Sequence, residues 1–291
     1  MDMDGGFPLP LAAETTISDE DFAKFREFFY RKTGISFEPS KRYFVDKRLI
    51  ERMAACGEPS FRSYFTKLRF EASGLEVQRL TNIMTVNETY FLREDYQFKC
   101  LVDSVLPEVV KNKAPGSCIR IWCIPSSSGE EPYSIAMYLL ERWAGIKQWD
   151  VEIISSDIDT DILRKAQAGL YSARSVQHVP PTWLRKYFVR TGIEYQIANE
   201  LRQAVEFTRV NLAHPADTRT YRNFDLIFCR NLLIYFDDTS RRTAANTFHD
   251  CLNPGGFILL GHSESMSRIS SLFRIRKFPE AIVYQKPLEA S

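Results

Sequence analysis

With 291 residues, of which 44% are hydrophobic and 26% charged, the chain has the composition of a soluble globular protein and fits one large domain or two modest ones. A formal net charge of +1 excludes a global electrostatic pull towards nucleic acid, so any steering has to come from local patches. No run approaches the ~18 apolar residues of a membrane span, which predicts no direct membrane insertion. Six cysteines (Cys56, Cys100, Cys118, Cys123, Cys229 and Cys251) stand without a C-x-x-C pair or a histidine at ligand spacing. That pattern predicts reduced, mostly buried thiols in a cytoplasmic protein, and no metal site.

In chain order, Met1–Thr16 mixes acidic, glycine and proline residues without the basic start of a signal peptide, and reads as a disordered tail. Residues 17–85 read as an all-helical N-terminal domain. Ser18-Asp-Glu-Asp21 resembles a capping box, and Phe22, Phe25, Phe28 and Phe29 recur at helical spacing until Gly34. Ser40 is placed to cap a second helix running to Met53, Ser60 a third to Arg69, and Ser73-Gly-Leu-Glu76 opens a fourth. From Tyr96 the pattern changes to helices (Tyr96–Lys111, Glu131–Trp143, Thr160–Ala168, Asp238–Leu252) alternating with strands (Ile119–Ile124, Val151–Ser156, Phe224–Cys229, Phe257–Gly261). The alternation predicts an α/β, Rossmann-like parallel sheet covered on both faces. Asn253-Pro-Gly-Gly256 reads as a turn, and Phe273–Phe278 with Ala281–Gln285 as a closing antiparallel hairpin. Between residues 180 and 210 the rhythm is interrupted. Pro180-Pro181 opens a short helix, and Tyr187–Arg190, Glu194–Ala198 and Ala204–Val210 read as a small antiparallel β-subdomain.

The chemistry concentrates in Ile119–Ser134. An apolar strand breaks into a serine-rich turn ending at Gly129, and a helix opening with Glu130, Glu131 and Pro132 follows. Open α/β sheets bind nucleotides at such strand ends. Here, however, the turn offers carboxylates in place of the glycines and lysine of a phosphate cradle. Three strand ends converge on this edge: Ser126–Glu131, Asp157 and Cys229-Arg-Asn231. Asp157 can accept hydrogen bonds from ribose hydroxyls. NAD would use such an acid too, but G-x-G-x-x-G is absent, so S-adenosyl-L-methionine, which carries a ribose and a sulfonium but no phosphate, is the better match. The plainer alternatives are helix-dipole complementation for Glu130 and Glu131 and an N-cap role for Asp157.

Six motifs in order resemble those of the CheR chemotaxis receptor methyltransferases, over about Ile17 to Lys286. They are Asn87-Glu-Thr-Tyr-Phe-Leu-Arg93, Ser128-Gly-Glu-Glu-Pro-Tyr-Ser134, Ser156-Asp-Ile-Asp159, Asn211-Leu212, Phe228-Cys-Arg-Asn231 with Ile234-Tyr-Phe236, and Gly261-His-Ser-Glu-Ser265. The resemblance implies a helical N-terminal domain, a linker over residues 86–95 that carries active-site residues, and a methyltransferase domain over 96–291. It implies transfer of a methyl group from S-adenosylmethionine to glutamates of chemoreceptor cytoplasmic helices, giving γ-glutamyl methyl esters and S-adenosyl-L-homocysteine. It further implies that Asn87, Thr89, Arg93, Glu130, Asp157, Asn211, Leu212, Asn231 and Leu232 line the cofactor site, and that Arg93 and Tyr235 position the acceptor carboxylate. Without the resemblance, Arg93 reads as a salt bridge to Glu94 or Asp95, and Tyr235 as a half-buried aromatic.

At ~100° per residue, Lys41, Arg48 and Arg52 share one stripe beside the apolar face of Val45, Leu49 and Met53. Such a stripe is ordinarily a solvated surface, but the resemblance implies docking onto acidic receptor helices. Relatives that bind a receptor pentapeptide resemble this chain except in a longer, glycine-richer hairpin, whereas Arg190-Thr-Gly-Ile-Glu194 is short, which points to pentapeptide-independent binding by a monomer. A nucleic-acid methyltransferase is disfavoured because Arg230-Asn-Leu-Leu-Ile234 stands where an Asn/Asp-Pro-Pro-aromatic loop is wanted. Methylation of another protein, methylation of a small-molecule carboxylate, and a non-catalytic cofactor-sensing adaptor are the remaining alternatives.

Overall fold

The computed structural model describes residues 17–288; the tail expected over Met1–Thr16 lies outside them. The chain divides into two compact units, one within Met1–Phe28 and Phe37–Met84, the other within Phe29–Ser36 and Thr85–Ser291.

The first unit is helical: most of α1 (Asp19–Thr33), then α2 (Arg42–Cys56), α3 (Phe61–Phe70) and α4 (Leu75–Met84). Side-chain hydroxyls set three of the starts. Ser18 Oγ accepts from the Asp21 amide, Ser60 Oγ from the Ser63 amide and Ser73 Oγ from the Leu75 amide. Ser40 does not act this way. It lies inside a 3₁₀ turn, Pro39–Lys41, and α2 begins after Lys41 with no side-chain cap. The fixed φ of Pro39 favours that turn over an extended capping residue. Phe25, Val45, Leu49, Met53, Tyr64, Leu68 and Leu80 are buried in this unit.

The basic stripe predicted on α2 is only partly a solvated surface, because two of its three cations have partners within the same unit. Arg52 donates to both oxygens of Glu76 (2.9 and 2.8 Å), a carboxylate only 1% exposed that also accepts from Tyr64 Oη (2.8 Å). Arg48 donates to the carbonyls of Ile83 and Phe44, and its guanidinium lies 3.4 Å from the Phe44 ring centroid. Lys41 is exposed. A guanidinium beside apolar helix faces finds a buried carboxylate or free carbonyls nearer than any partner protein.

The second unit opens with α5 (Asp95–Cys100), which runs through a π-helical turn, Leu101–Val105, into α6 (Leu106–Lys111). There follow β1 (Ile119–Cys123), α7 (Glu130–Arg142), β2 (Val151–Asp157), α8 (Thr160–Ala168) and β3 (Leu170–Tyr171). Next come α9 (Ala173–Val176), α10 (Pro181–Tyr187), β4 (Phe188–Thr191), β5 (Glu194–Ile197), α11 (Asn199–Gln203) and β6 (Val205–Arg209). The chain ends through α12 (Pro215–Thr218), β7 (Phe224–Cys229), α13 (Asp238–Cys251), β8 (Leu252–Leu260), β9 (Arg274–Lys277) and β10 (Ile282–Gln285).

Among the described residues, seven strands form one sheet in the order β6-β2-β1-β7-β8-β10-β9. The first five run parallel, and the β9–β10 hairpin is antiparallel, as expected. The strand order reverses across β1 and β7, which opens a crevice at their carboxyl ends. Side chains alternate between two cores. Ile121, Cys123, Leu226, Phe228 and Leu259 pack with residues of α5, α6 and α7. Trp122, Ile154, Ile227, Ile258 and Leu260 pack with Ala244, Ala245 and Phe248 of α13.

Two expectations are corrected here. The run Ala204–Val210 is not part of the antiparallel excursion. As β6 it pairs parallel to β2, with Val205 opposite Ile153 and buried, and the small sheet is β3-β5-β4 instead. Asn253–Gly256 does not precede the last parallel strand but bulges within it, since β7 pairs Phe224 with Leu252 and then Leu226 with Phe257. The bulged residues bond the returning chain, the Gly255 amide to Lys286 O and the Lys286 amide to Gly256 O.

Removing one partner of a buried ion pair strands the other charge, so Glu76→Ala should cost about 3 kcal/mol of unfolding free energy. A urea midpoint unchanged from the parent protein would contradict this. Burial pushes the Glu76 carboxyl up, but its bonds from Arg52 and Tyr64 outweigh that and hold it below 4.5. Its stabilisation is therefore complete above the unfolded pKa and disappears as pH falls through the folded value.

Candidate active site

The turn after β1 is fixed from several sides. The Ser126 amide bonds Ser156 O (2.7 Å) and the Gly129 amide bonds Ser126 O (3.1 Å). Tyr171 Oη donates to Ser128 O (2.8 Å). Gly129 has φ +93°, and a Cβ there would lie 3.0–3.1 Å from Tyr133, Ala166 and Tyr171, so both conformation and space require glycine.

Asp157, at the carboxyl end of β2, is 3% exposed and accepts from the amides of Ser127 (2.8 Å) and Asp159 (2.9 Å). Burial pushes its carboxyl up to about 6, against these two amide bonds and with the help of the neighbouring Asp159 charge. It is not the N-cap of α8. Asp159 caps that helix, accepting from the amides of Asp161 and Ile162 through Oδ1. The second oxygen of Asp159 accepts from Thr85 Oγ1 and Asn87 Nδ2, both at 2.8 Å, which ties the segment after α4 to this edge.

Glu130 and Glu131 lie in the first turn of α7, where the helix dipole favours them, but each also has a fixed partner. Glu130 is buried and accepts from Ser128 Oγ (2.6 Å) and Ser175 Oγ (2.7 Å). Glu131 accepts from Arg230 Nη1 (2.8 Å), leaving Glu131 Oε1 buried without a partner. Burial pushes both carboxyls up, opposed by the hydroxyl bonds at Glu130 and by Arg230 at Glu131.

After β7, Asn231 turns the chain at φ +59°. Glu264 holds this turn by accepting from the amides of Asn231, Leu233 and Gly261, each at 2.8 Å. Tyr235 closes the 3₁₀ turn Leu233–Tyr235 and is partly buried. Burial pushes its phenol up, and the Arg93 charge acts in the opposite direction, so the two side chains share one field. Arg93 is not paired with Glu94 or Asp95. Its Nη1 donates to Glu88 O (2.9 Å), while Glu94 pairs with Arg230 and Asp95 with Lys99. Leu212 is buried and Leu232 partly buried against the α13-side core. The side chain of Asn211, after β6, bonds Lys32 O (2.7 Å) and the Ala213 amide (3.0 Å), so it shapes its own turn. Thr89 is half-buried in the linker. Lys41, Arg48 and Arg52 belong to the other unit.

Sequence reasoning missed Asp159, Ser175, Arg230 and Glu264. Asp159, Arg230 and Glu264 stood inside quoted motifs, but nothing in their spacing revealed which amides or carbonyls they hold. The edge fits a ligand of ribose hydroxyls and an ammonium group: acceptors dominate, and Glu131 Oε1 and the hydroxyls of Ser126 and Ser127 are buried without protein partners. Among the described residues no cluster of histidine, cysteine or acidic side chains is arranged to hold a metal, and no helix is long and apolar enough to cross a membrane.

The sheet and its acid-lined crevice are those of an S-adenosylmethionine-dependent methyltransferase. The chain belongs to the CheR methyltransferase family, whose SAM binding domain model matches residues 87–282 and whose all-alpha domain model matches residues 20–85. It is similar to chemotaxis protein methyltransferase 2 of Vibrio cholerae, 55% identical over 275 residues that cover 94% of this chain and 95% of that one. Chemotaxis protein methyltransferase 2 of Pseudomonas aeruginosa is 38% identical (88% and 90% covered), and the chemotaxis protein methyltransferase of Escherichia coli 34% (92% of each).

If Asp157 accepts ribose hydroxyls, its ionised form is the better acceptor, and product binding should strengthen as pH rises through about 6. The same raised pKa makes the ligand-free protein less stable over that rise, since the unfolded carboxyl ionises first. By titration calorimetry, S-adenosylhomocysteine should bind roughly tenfold more weakly at pH 5 than at pH 7.5, and Asp157→Asn should flatten the difference. Equal affinities for the parent protein at the two pH values would refute the role of Asp157.

Proposed function

We propose that this protein transfers the methyl group of S-adenosylmethionine to glutamate side chains of chemoreceptor cytoplasmic helices, forming γ-glutamyl methyl esters. The observation that carries this reading is the grouping of the buried carboxylates of Asp157 and Glu130 with the partly buried Glu131 at one sheet edge, where the charge of Arg93 acts on the phenol of Tyr235. Asn87, Thr89, Arg93, Glu130, Asp157, the turn at Asn211–Leu212, Asn231 and Leu232 would hold the cofactor. When bound, the cofactor supplies an electrophilic methyl group on a positively charged sulfur.

A glutamate with pKa near ~4.3 is already ionised at neutral pH, so the acceptor needs no general base. The protein's task is to strip water from that carboxylate and hold it in line. The planar fork of Arg93 can orient a carboxylate, and Tyr235 can donate a hydroxyl hydrogen bond. Full neutralisation by Arg93 would dull the nucleophile, so its part is orientation rather than tight binding. We assign residues 17–85 to receptor docking through Lys41, Arg48 and Arg52, of which Lys41 is exposed, 86–95 to the linker, and 96–291 to the methyltransferase domain, acting in the cytoplasm as a monomer. The β4–β5 turn, Arg190–Glu194, is short, which favours receptor binding without a pentapeptide tether. Receptor C-terminal peptides titrated against the protein should show no micromolar binding, and micromolar binding would overturn this part.

With radiolabelled S-adenosylmethionine and receptor-bearing membranes, label should appear on the receptor and be released by alkali as methanol. Alkali-resistant label, or none, would refute ester formation. Arg93→Ala should lower transfer about 100-fold or more while changing S-adenosylhomocysteine affinity less than about fivefold, separating acceptor positioning from cofactor binding.

A further inference from the structure

Arg93 sits on a loop whose backbone would not choose its shape unaided. Leu92 and Glu94, on either side of it, both lie in the left-handed region, at φ +61° and +57°, where residues with a side chain are disfavoured. Such a conformation persists only when its surroundings over-determine it, and here successive residues are held. The Phe91 amide bonds Ser175 O (3.0 Å), and the Leu92 amide bonds Ser134 Oγ (3.0 Å). The Glu94 carboxylate accepts from Gln97 Nε2 (2.8 Å), which also donates to Leu260 O (2.8 Å).

The centre of this arrangement is Arg230, the residue after β7. It is 5% exposed, and its fork makes two bonds in different directions: Nη1 to Glu131 Oε2 (2.8 Å) and Nη2 to the backbone carbonyl of Arg93 (2.6 Å). Nη2 also lies 3.2 Å from Glu94 Oε2, and the guanidinium stands 5.6 Å from the Phe98 ring centroid. We propose that Arg230, anchored by Glu131, is a positioning residue that fixes the peptide of Arg93 and so aims its side chain at the acceptor carboxylate. The inference rests on the catalytic reading of Arg93 given above. A lysine at 230 would keep the charge but not the planar fork, and could serve Glu131 or Arg93 O, not both in this geometry.

The test is a double-mutant cycle of Arg230→Lys with Arg93→Ala, read as kcat for receptor methylation at saturating S-adenosylmethionine, with S-adenosylhomocysteine affinity measured in parallel. Arg230→Lys should lower kcat at least tenfold with product affinity changed less than about threefold, and should cost less than about threefold further once Arg93 is alanine. Equal losses in both backgrounds, or a matching loss of product affinity, would overturn the proposal in favour of a general packing role. If Arg230→Lys loses its near-ultraviolet circular dichroism, the cycle is run with Glu94→Gln, which leaves Arg230 and Glu131 in place and weakens the hold of Arg230 on the loop. The same two outcomes then decide. Should Arg93→Ala alone retain transfer within threefold, the catalytic reading of Arg93 falls, and this inference with it.

Discussion

Where parallel strands end, backbone amides lose their ladder partners, and in this protein buried and half-buried carboxylates take them. Asp157 holds the amides of Ser127 and Asp159, Asp159 those of Asp161 and Ile162, and Glu264 those of Asn231, Leu233 and Gly261. Asp217 does the same for Asn211 after β6. An unsatisfied buried amide costs about 1–3 kcal/mol, so each of these carboxylates is a structural necessity before it is anything else. The turns they hold close the carboxyl edge of β6, β2, β1, β7 and β8 and fix the shape of the crevice.

That structural solution sets the chemistry. A crevice closed by carboxylates repels phosphate and welcomes hydroxyls and positive charge, which matches a donor carrying ribose and a cationic sulfur. It also creates a difficulty, because burial raises the carboxyls of Asp157, Glu130 and Glu131 together. Two devices limit the rise. At Asp157 and Glu130, hydrogen bonds to amides and hydroxyls favour the ionised form. At Glu131, the buried guanidinium of Arg230 supplies the opposing charge. Both devices act against the loss of the ionised form along the acid-lined edge.

The sheet was legible in the sequence because its signals are strong and local. Apolar runs of five or six residues ended in turn residues, and β7 and α8 have the bounds expected from pattern alone. The failures share a physical cause, which is that partner choice is non-local. Ala204–Val210 has the pattern of any short strand, and only the free edge of β2, with Ile153 waiting opposite Val205, decides where it pairs. Arg52 looked like part of a surface stripe because Glu76, two helices away, carries no mark of being buried beneath it. The acidic character of the sheet edge was legible, since carboxylates in place of glycines are visible in one dimension. The residues that hold the edge together, Arg230 and Glu264, act through backbone groups, and backbone groups leave no trace in a sequence.

The site thus separates two tasks with different mechanical needs. The donor edge is built from strand ends and helix starts whose amides are held by buried acids, which suits a ligand that has to be presented the same way each time. In the role proposed for Arg93 and Tyr235, acceptor selection falls to a single long side chain on a loop strained on both sides of Arg93, together with a phenol on a short 3₁₀ turn. An arginine that exchanges its bond to Glu88 O for an acceptor carboxylate can meet glutamates presented at slightly different heights along a helix, while its Cα stays fixed relative to the donor edge. Fixing the peptide without fixing the guanidinium requires that the loop be held by its backbone. The bonds at Phe91, Leu92 and Arg93 are all of that kind, made through main-chain amides and a main-chain carbonyl.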